Sequence, residues 1–376
     1  MHDGRGDSVH ISKLNEELRR YASVVFVHRG MFALFAGSIR SGEELRSVEA
    51  AFKMLGYHCA LAVWLILHAS RDQLVYCRDW SVALTAELVR QVKGFRVIYE
   101  ANSLAAIEFR MTTSNTLGKI AGILQALAAT RANGVIAVTS KLARSIKAVS
   151  GRRELQIAVV PNAGDAQHSL ISKESARERL GLEADRLLVG FVGNLGPWQG
   201  LPLLLTAFTI VQSVLSDSEL LIVGDGIERQ RLQTLAHQLG LSQKVRFTGP
   251  VRHELALAYI AACDVCTIPY EQSPLYEAVG RSPIKAYEYM ACGRPIVAGS
   301  FDGLADELTG SGGGLVVPPD NPWEFAAAIV RILKDPVLAR RIGAAGRTYV
   351  VTERSWSKVA RDIVEFSKAI ERGCVS

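Results

Sequence analysis

Short apolar runs alternate along the chain with longer stretches in which apolar residues recur every three or four positions. In the first half, the runs at 23–27, 73–76 and 95–99 predict buried strands, and the stretches at 81–92 and 117–132 predict amphipathic helices. Strands that are separated by helices are typical of parallel βαβ units. The pattern therefore predicts an α/β fold with a parallel sheet in this half of the chain.

Three further features complete the first half. A stretch with helical spacing at 43–56 stops at Gly56, and glycine commonly ends a helix. A run at 134–139 predicts a strand, and Ser140 directly after it suits the N-cap of the next helix. A short strand is predicted at 157–160.

The second half restarts the alternation and predicts a second parallel sheet. Its predicted strands lie at 186–193, 220–224, 245–249, 265–269 and 295–298, with a helix at 201–213 and helical sequence from 322 to 372. A polar stretch at 165–185 is the natural linker. We therefore predict an N-terminal domain at 1–165, a second domain at 166–354, and a C-terminal helix at 355–376 that packs back on the first domain.

The composition is that of a globular protein with room for two cores. The chain has 376 residues, of which 49% are hydrophobic and 21% charged. The net charge of +6 suits an anionic ligand, an anionic membrane surface or nucleic acid. Because no dense Lys/Arg block is interleaved with aromatic residues, we expect no nucleic-acid partner.

Cysteine usage and the chain start favour a cytoplasmic protein. The one CxxC, Cys263–Cys266, lies in an apolar run without a second cysteine pair, so we expect buried reduced thiols. The first twenty residues are polar and charged, unlike a signal peptide. The longest apolar run, at 58–69, is too short to span a bilayer and predicts a buried strand or helix. Contact with the inner membrane surface stays open.

Several nucleotide-binding and metal-binding motifs are missing. No GxGxxG follows the first strand, which disfavours a dinucleotide dehydrogenase, and no Walker A sequence is present. No D-x-D triplet occurs, so we expect neither a bound metal nor another cofactor. Glycine turns after strands of the second half nevertheless suit phosphate groups at helix N-termini.

The second half carries a family resemblance in a series of motifs that occur in the family's order. They are GFVGNLGPWQGLPLLLTAF, LLIVGDG, VRFTGPV, ACDVCTIPY, SPIKAYEYMACGRPIVA, GGGLVVPP and ERSWSKVA. These stretches resemble the donor domain of the GT-B glycosyltransferases of retaining family 4, the glycosyl transferases group 1. The first half is similar more weakly. The resemblance implies two Rossmann-like doubly wound domains that face a central cleft.

The resemblance implies a nucleotide-sugar site in the second domain. Glu288 matches the acid that binds the ribose hydroxyls, and without the motif it would be read as a solvated helix acid. The loop before it supplies backbone N–H groups to the diphosphate. Pro250 and Val251 match the turn that faces the base. The remaining donor-binding residues that this match implies are Gly193, Gly224, Gly249, Arg281, Ser282, Pro283 and Ile284.

The sequence also departs from the family pattern at charged positions. Gly280 stands eight residues before Glu288, where the family has an acid that grips the sugar. Asn194 and Gln199 occupy places that are often basic and that neutralise the departing diphosphate. Lys285 could supply the missing charge, or could be a solvated helix lysine, and Arg281 is a second candidate.

In the first domain the resemblance implies an acceptor site. Asn102 stands where many relatives have a histidine beside the reacting sugar carbon; it bonds a sugar hydroxyl or is a structural loop residue. Arg78 binds an acidic group of the acceptor or forms a surface ion pair. Ser41 and Gly42 belong to the glycine loop after the first strand.

These expectations combine into a metal-independent retaining glycosyltransferase that uses a nucleotide sugar as co-substrate, with Asn102 and Lys285 as catalytic candidates. The acceptor is an envelope glycan, a lipid-linked sugar or a small metabolite, and a peripheral contact with an anionic membrane stays open. The alternative is a non-catalytic GT-B protein that binds a nucleotide sugar or a partner. A nucleotide-sugar epimerase is disfavoured because no cluster of acids and histidines is evident.

Overall fold

The computed structural model describes residues 6–27, 48–152, 154–165 and 171–372. Its contacts divide the chain into two compact units. The first unit contains the described residues of 14–161, 274–280 and 359–376. The second contains those of 1–13, 162–273 and 281–358. The short segment 274–280 is thus grouped with the first unit, although the sequence on both sides of it is grouped with the second.

The first unit is built on a parallel sheet. In the described residues its strands follow the order β1-β2-β3-β4-β5, and every neighbouring pair is parallel. The strands are β1 Val24–Val27, β2 Leu74–Cys77, β3 Arg96–Ala101, β4 Gly134–Ala137 and β5 Ile157–Val159. Helix α1, Gly6–Tyr21, precedes the sheet and is grouped with the second unit up to Lys13 and with the first unit from Leu14. The helices between the strands are α2 Val48–His68, α3 Trp80–Lys93, α4 Ala105–Thr112, α5 Asn115–Arg131 and α6 Ser140–Ser150. A core of fully buried side chains, with Val75, Val97 and Val135 at the centre of the sheet, holds this unit together.

Two sequence predictions in this unit are wrong. Helix α2 does not end at Gly56 but continues to His68, and the apolar run at 58–69 forms its last three turns. Leu61 and Leu65 in that run are completely buried, and this burial outweighs the roughly 1 kcal/mol by which glycine disfavours a helix. The N-cap of α6 is Thr139, not Ser140: the Thr139 hydroxyl accepts a hydrogen bond from the N–H of Leu142.

The second unit contains a parallel sheet with the order β11-β10-β9-β6-β7-β8. The strands are β6 Leu187–Val192, β7 Ser218–Val223, β8 Val245–Gly249, β9 Val265–Ile268, β10 Ile296–Gly299 and β11 Gly314–Val317. The first strand, β6, lies in the middle, and the strand order reverses beside it, between β6 and β9. In open parallel sheets, ligands bind outside the carboxyl ends of the strands at such a reversal.

Helices surround this second sheet. They are α7 Lys173–Leu180, α8 Leu201–Val214, α9 Arg229–Gln238, α10 His253–Ala262, α12 Ile284–Ala291, α13 Leu304–Ser311, α14 Pro322–Lys334 and α15 Pro336–Glu353. Helix α11, Pro274–Val279, is grouped with the first unit, and α16, Trp356–Glu371, continues from the second unit into the first. The stretch after 322 is therefore not one helix. It breaks at Asp335, whose side chain caps α15 by accepting from the N–H groups of Val337 and Leu338.

The predicted α/β class and the two Rossmann-like parallel sheets are confirmed. Cys263 and Cys266 are completely buried and free, as their apolar surroundings indicated. Within the described parts of the chain, we find no helix that combines the length and the apolar character needed to cross a membrane.

Gly224→Ala should destabilise the second unit. Gly224 has a φ of 127°, and a Cβ there would lie 2.0 Å from the carbonyl oxygen of Gly193. We expect a loss of about 1–3 kcal/mol in the free energy of unfolding, measured by urea denaturation. The control is Gly310→Ala inside α13, where a Cβ meets no atom within 4 Å and alanine should stabilise the helix. An equal effect of the two substitutions on the free energy of unfolding would contradict the close approach of Gly224 to the carbonyl of Gly193.

Candidate functional site

The turns after β6, β7 and β8 meet at the carboxyl edge of the second sheet. The N–H of Gly193 donates to the carbonyl of Val223 at 2.9 Å, and the N–H of Gly224 donates to that of Gly249 at 3.1 Å. The three glycines predicted for the donor site therefore lie next to one another. Without side chains, they let a ligand approach the backbone closely at this edge.

Helix α12 is attached to this edge through Tyr289. The completely buried Tyr289 hydroxyl accepts a hydrogen bond from the N–H of Val192 at 2.8 Å and donates to its carbonyl at 3.1 Å. β6 pairs with β9 only at Val189 and Gly190, so Val192 lies beyond the ladder on that side. The tyrosine hydroxyl thus satisfies both backbone groups of the last residue of β6.

Lys285, in the first turn of α12, points towards these glycine turns. Its ammonium donates to Oε1 of Gln199 at 2.7 Å and lies 4.0 Å from the centre of the Phe191 ring. A Cβ on Gly193 would come within 2.8 Å of it. Burial, with a smaller contribution from Arg281, lowers the pKa of Lys285 to about 7, whereas Glu288 opposes the shift. The ammonium is therefore poised to gain stability from an anion.

The two amides in the predicted donor set differ in their surroundings. Gln199 is buried at the end of a short 3₁₀ turn, Pro197–Gln199, and accepts the hydrogen bond from Lys285. Its oxygen orients the ammonium but brings no charge. Asn194 is exposed in the turn after β6. The Lys285 ammonium lies beside Gly193 and Gln199, and the Arg229 guanidinium lies beside Gly249.

Glu288 lies one turn after Lys285 on the same helix. Its hydrogen-bond partner was not predicted from the sequence. Nε2 of His253 lies 2.8 Å from Oε1 of Glu288. His253 is the first residue of α10, directly after the turn with Pro250 and Val251. The hydrogen bond to Glu288 raises the pKa of His253, although burial opposes the shift. The Glu288 side chain keeps 15% of its surface exposed, so it is not sealed in the core.

The loop before α12 is held in place on both sides. The N–H of Asn162 donates to the Ser282 hydroxyl at 3.0 Å, and its side-chain amide donates to the Ser282 carbonyl at 2.5 Å. The Arg281 guanidinium stacks on the Tyr270 ring at 4.2 Å. Pro283 precedes the helix and contributes no side-chain cap, and Ile284 is its first residue. Ser282 thus fixes the loop through its own hydrogen bonds, beside the predicted backbone role.

Gly280 occupies the position, eight residues before Glu288, at which the resemblance implies a sugar-binding acid. Its φ is 65°, in the left-handed region, and its N–H donates to the carbonyl of Tyr276 at the end of α11. A glycine in this conformation terminates a helix at little cost, whereas a glutamate there is strained by about 1 kcal/mol. The backbone at Gly280 therefore matches glycine.

The predicted acceptor-side residues lie in the first unit. Arg78, after β2, donates from Nε to Oε1 of Glu100 at 3.2 Å, and the Tyr76 hydroxyl donates to Oε2 at 2.7 Å. Glu100 is only 2% exposed, so Arg78 is part of a buried ion pair at the end of the strands. The sequence predicts a surface ion pair as one of two alternatives for Arg78; the structure shows an ion pair, but one with the buried Glu100.

The loop that carries Asn102 is braced by the buried Gln125. The Gln125 amide donates to the Ser103 carbonyl at 2.8 Å, and its oxygen accepts from the N–H of Ala105 at 2.8 Å. Asn102 itself is partly exposed. Ser41 and Gly42, predicted for an acceptor or phosphate loop, lie outside the described residues.

Sequence reasoning missed His253, Tyr289 and Gln125. Each acts through a contact with a residue far along the chain, and a single sequence holds no information on such pairs. The one available signal was the place of His253, directly after a turn already predicted to face the base. In the parts of the chain described here, no group of three or more His, Cys, Asp or Glu side chains could hold a metal ion.

Comparison with known proteins gives concordant matches. Residues 172–349 match the family model for glycosyl transferases group 1. D-inositol 3-phosphate glycosyltransferase of Stackebrandtia nassauensis is 27% identical over 319 residues, which cover 81% of this chain and 70% of the relative. Of the site residues described in the second unit, all except Asn162 fall within the matched range.

Two solved structures resemble the chain over nearly its full length. Sucrose-phosphate synthase from Thermosynechococcus elongatus superimposes with a TM-score of 0.78 at 21% identity, covering 98% of this chain and 94% of the other. Anabaena HepE in complex with UDP-glucose superimposes with a TM-score of 0.75 at 19% identity, covering 98% and 97%. At these identities the likeness shows the GT-B fold.

Lys285→Met should change how stability depends on pH. The pKa of Lys285 falls from 10.5 to about 7 on folding, so below pH 7 the folded state carries the full cost of the buried charge. That cost is relieved as the pH rises from 7 towards 10.5. Between pH 7.5 and 8.5, wild type should gain about 1 kcal/mol in free energy of unfolding relative to the methionine variant.

Urea denaturation at a series of pH values measures this difference. Lys334→Met, at an exposed lysine in the last turn of α14, is the control and should run parallel to wild type. Parallel curves for Lys285→Met as well would show that the Lys285 ammonium is not desolvated.

Proposed function

We propose that this chain, whose residues 172–349 match the family model for glycosyl transferases group 1, transfers a hexosyl unit from a nucleotide sugar to an acceptor hydroxyl. The observation that carries the proposal is the position of Lys285 and Glu288. Both lie on one face of α12, at the carboxyl edge of the sheet where the strand order reverses. A cation and a carboxylate one helical turn apart suit the two ends of a ribose diphosphate.

The donor would bind with its ribose at Glu288 and its diphosphate at Lys285. A carboxylate accepts hydrogen bonds from two adjacent hydroxyls, and the ribose of a nucleotide offers such a pair. The diphosphate would lie between the ammonium and the glycine turns, near the backbone N–H groups at the start of α12. An anion in this place raises the pKa of Lys285 and keeps it charged at neutral pH.

The leaving group is then a nucleoside diphosphate, and its developing negative charge faces Lys285. Stabilisation of charge that develops in the transition state is the largest contribution that such a preorganised group makes. We propose a retaining reaction: the acceptor hydroxyl attacks the anomeric carbon on the face that the diphosphate leaves, the bond from that carbon to the phosphate oxygen breaks, and the departing phosphate takes the hydroxyl proton. No separate protein base is then required.

The acceptor site would lie in the first unit, at the ends of β2 and β3. Asn102 would donate to a sugar hydroxyl, and the Arg78 guanidinium, oriented by Glu100, would bind an acidic group. A phosphorylated acceptor fits this arrangement, and two proteins that resemble this chain, an inositol 3-phosphate glycosyltransferase and a sucrose-phosphate synthase, support it because their names refer to phosphorylated compounds. Envelope glycans and lipid-linked sugars with anionic groups have the same chemistry.

The free buried thiols support a reducing, cytoplasmic location, and the net charge of +6 supports a peripheral contact with an anionic membrane. A second candidate function, nucleotide-sugar binding without transfer, is favoured by the uncharged Gln199 and Gly280. Turnover of a UDP-hexose above the uncatalysed rate would exclude it.

Glu288→Gln should weaken the binding of a nucleoside diphosphate. Isothermal titration with UDP, GDP and ADP should identify one base that binds, and the substitution should reduce its affinity about ten- to a hundredfold because a charge-assisted hydrogen bond is lost. Glu324→Gln, at an exposed acid of the same unit, is the control and should bind like wild type. Absence of binding to all three nucleotides would overturn the proposed function.

Removal of divalent metal should leave the reaction unchanged. We expect the release of nucleoside diphosphate from the nucleotide sugar to proceed at the same rate with EDTA as with added Mg²⁺, since Lys285 neutralises the leaving group in place of a metal ion. A coupled assay for the released diphosphate measures this rate. A large loss of rate in EDTA would show that the charge at Lys285 does not suffice.

A further inference from the structure

The contact between His253 and Glu288 joins two parts of the second unit that are 35 residues apart. His253 begins α10, after the turn that follows β8, and Glu288 lies in the middle of α12. Their side chains keep 26% and 15% of their surface exposed. Both groups therefore line the open edge of the sheet and are not part of the apolar core.

The direction of this hydrogen bond follows from the chemistry of the two groups. An ionised carboxylate only accepts, so Nε2 of His253 carries the proton and donates to Oε1. The bond exists for the charged imidazole and for the neutral tautomer with its proton on Nε2. It orients the carboxylate plane in both states, and protonation adds an electrostatic attraction.

We infer that His253 is a positioning residue that holds the Glu288 carboxylate in the orientation needed to bind both hydroxyls of the nucleotide ribose. This inference rests on the proposed function and assigns to His253 a role within that site. The two carboxylate oxygens offer about four lone-pair sites, and His253 uses one of them on Oε1. The remaining sites suffice for two hydroxyl donors.

Loss of the His253 side chain should affect the Glu288 carboxylate and not the helix that carries it, which distinguishes a positioning role from a merely structural one. Without His253, Glu288 retains its place on a helix whose anchors are Tyr287, Tyr289 and Met290 on the buried face. The helix therefore stays, but the carboxylate gains rotational freedom about its side-chain torsions. Fixing a long side chain on binding costs about 0.5–1.5 kcal/mol, which corresponds to roughly three- to tenfold in affinity.

The charges around His253 come from three elements. Glu288 on α12 and Asp165 before α7 both favour the charged imidazole, and Lys13 on α1 disfavours it. Lys13 and Asp165 form an ion pair at 2.8 Å, so their effects on His253 largely offset each other. Glu288 is the dominant partner, and its hydrogen bond is the main reason that the pKa of His253 is raised.

The test compares a nucleotide with and without its ribose hydroxyls. UDP, GDP and ADP are titrated by calorimetry, and the nucleotide that binds is compared with its 2′,3′-dideoxy analogue. For His253→Ala we expect about a three- to tenfold loss of affinity for the ribonucleotide and no change for the dideoxy analogue. His253→Gln, whose amide can donate the same hydrogen bond, should restore affinity to within about threefold of wild type.

Two controls keep the interpretation specific. His237→Ala, at an exposed histidine of α9, should bind both nucleotides like wild type. In a Glu288→Gln background, His253→Ala should cause no further loss, because His253 acts on the ribose hydroxyls only through the Glu288 carboxylate. An equal loss for ribose and dideoxyribose nucleotides, or additive losses in the double variant, would overturn the inference while the proposed donor site stands.

An independent measurement does not need a nucleotide. Imidazole resonances followed by NMR should show that the pKa of His253 falls towards its ordinary value in Glu288→Gln. An unchanged pKa would contradict the pairing itself. If wild type binds no nucleotide, the proposed function fails, and with it the ribose role of His253, whereas the NMR result still reports on the pair.

Discussion

The hydrogen bonds between Tyr289 and the backbone of Val192 fix the position of α12, the helix that carries Lys285 and Glu288. β6 is the central strand of the second sheet, and its last residue lies beyond the short ladder with β9. Buried backbone groups need partners, and one side chain from α12 supplies both. These two hydrogen bonds fix the position of Tyr289, and with it α12, at the carboxyl end of β6. Lys285, one turn before Tyr289, consequently lies beside Gly193 after β6, and Glu288 lies against His253, after the turn that follows β8.

Lys285 and Glu288, the charged groups at this edge, each contact a partner but keep part of their hydrogen-bonding capacity for a ligand. Lys285 contacts an amide oxygen and an aromatic ring, neither of which cancels its charge. Glu288 contacts a histidine that uses one of its lone pairs. Such partially satisfied groups are costly in an empty site and gain most when an anion or a pair of hydroxyls arrives. The desolvation of the Lys285 ammonium would therefore be offset by an anion that binds beside it.

Sequence patterns predicted the fold well because periodicity and turn residues are local. The strand at 245–249 coincides with β8, and the other predicted strands overlap observed ones with ends shifted by one or two residues. Local signals failed where tertiary packing decided. Gly56 stays inside α2 because the following turns are buried, and the contacts of Tyr289 and His253 depend on chain segments brought together by the sheet. The family resemblance singled out the glycines and Glu288, but the contacts between the glycine turns and between Glu288 and His253 required the structure.

Helix α12 divides its eight residues between two tasks. Tyr287, Tyr289 and Met290 are buried and hold the helix, while Lys285 and Glu288 remain partly exposed at the sheet edge. Substitutions on the exposed side leave the anchoring contacts intact, so the cost to the fold of altering ligand preference here is small. A helix with this division can change its ligand preference at a few positions on the exposed side while the buried tyrosines stay the same.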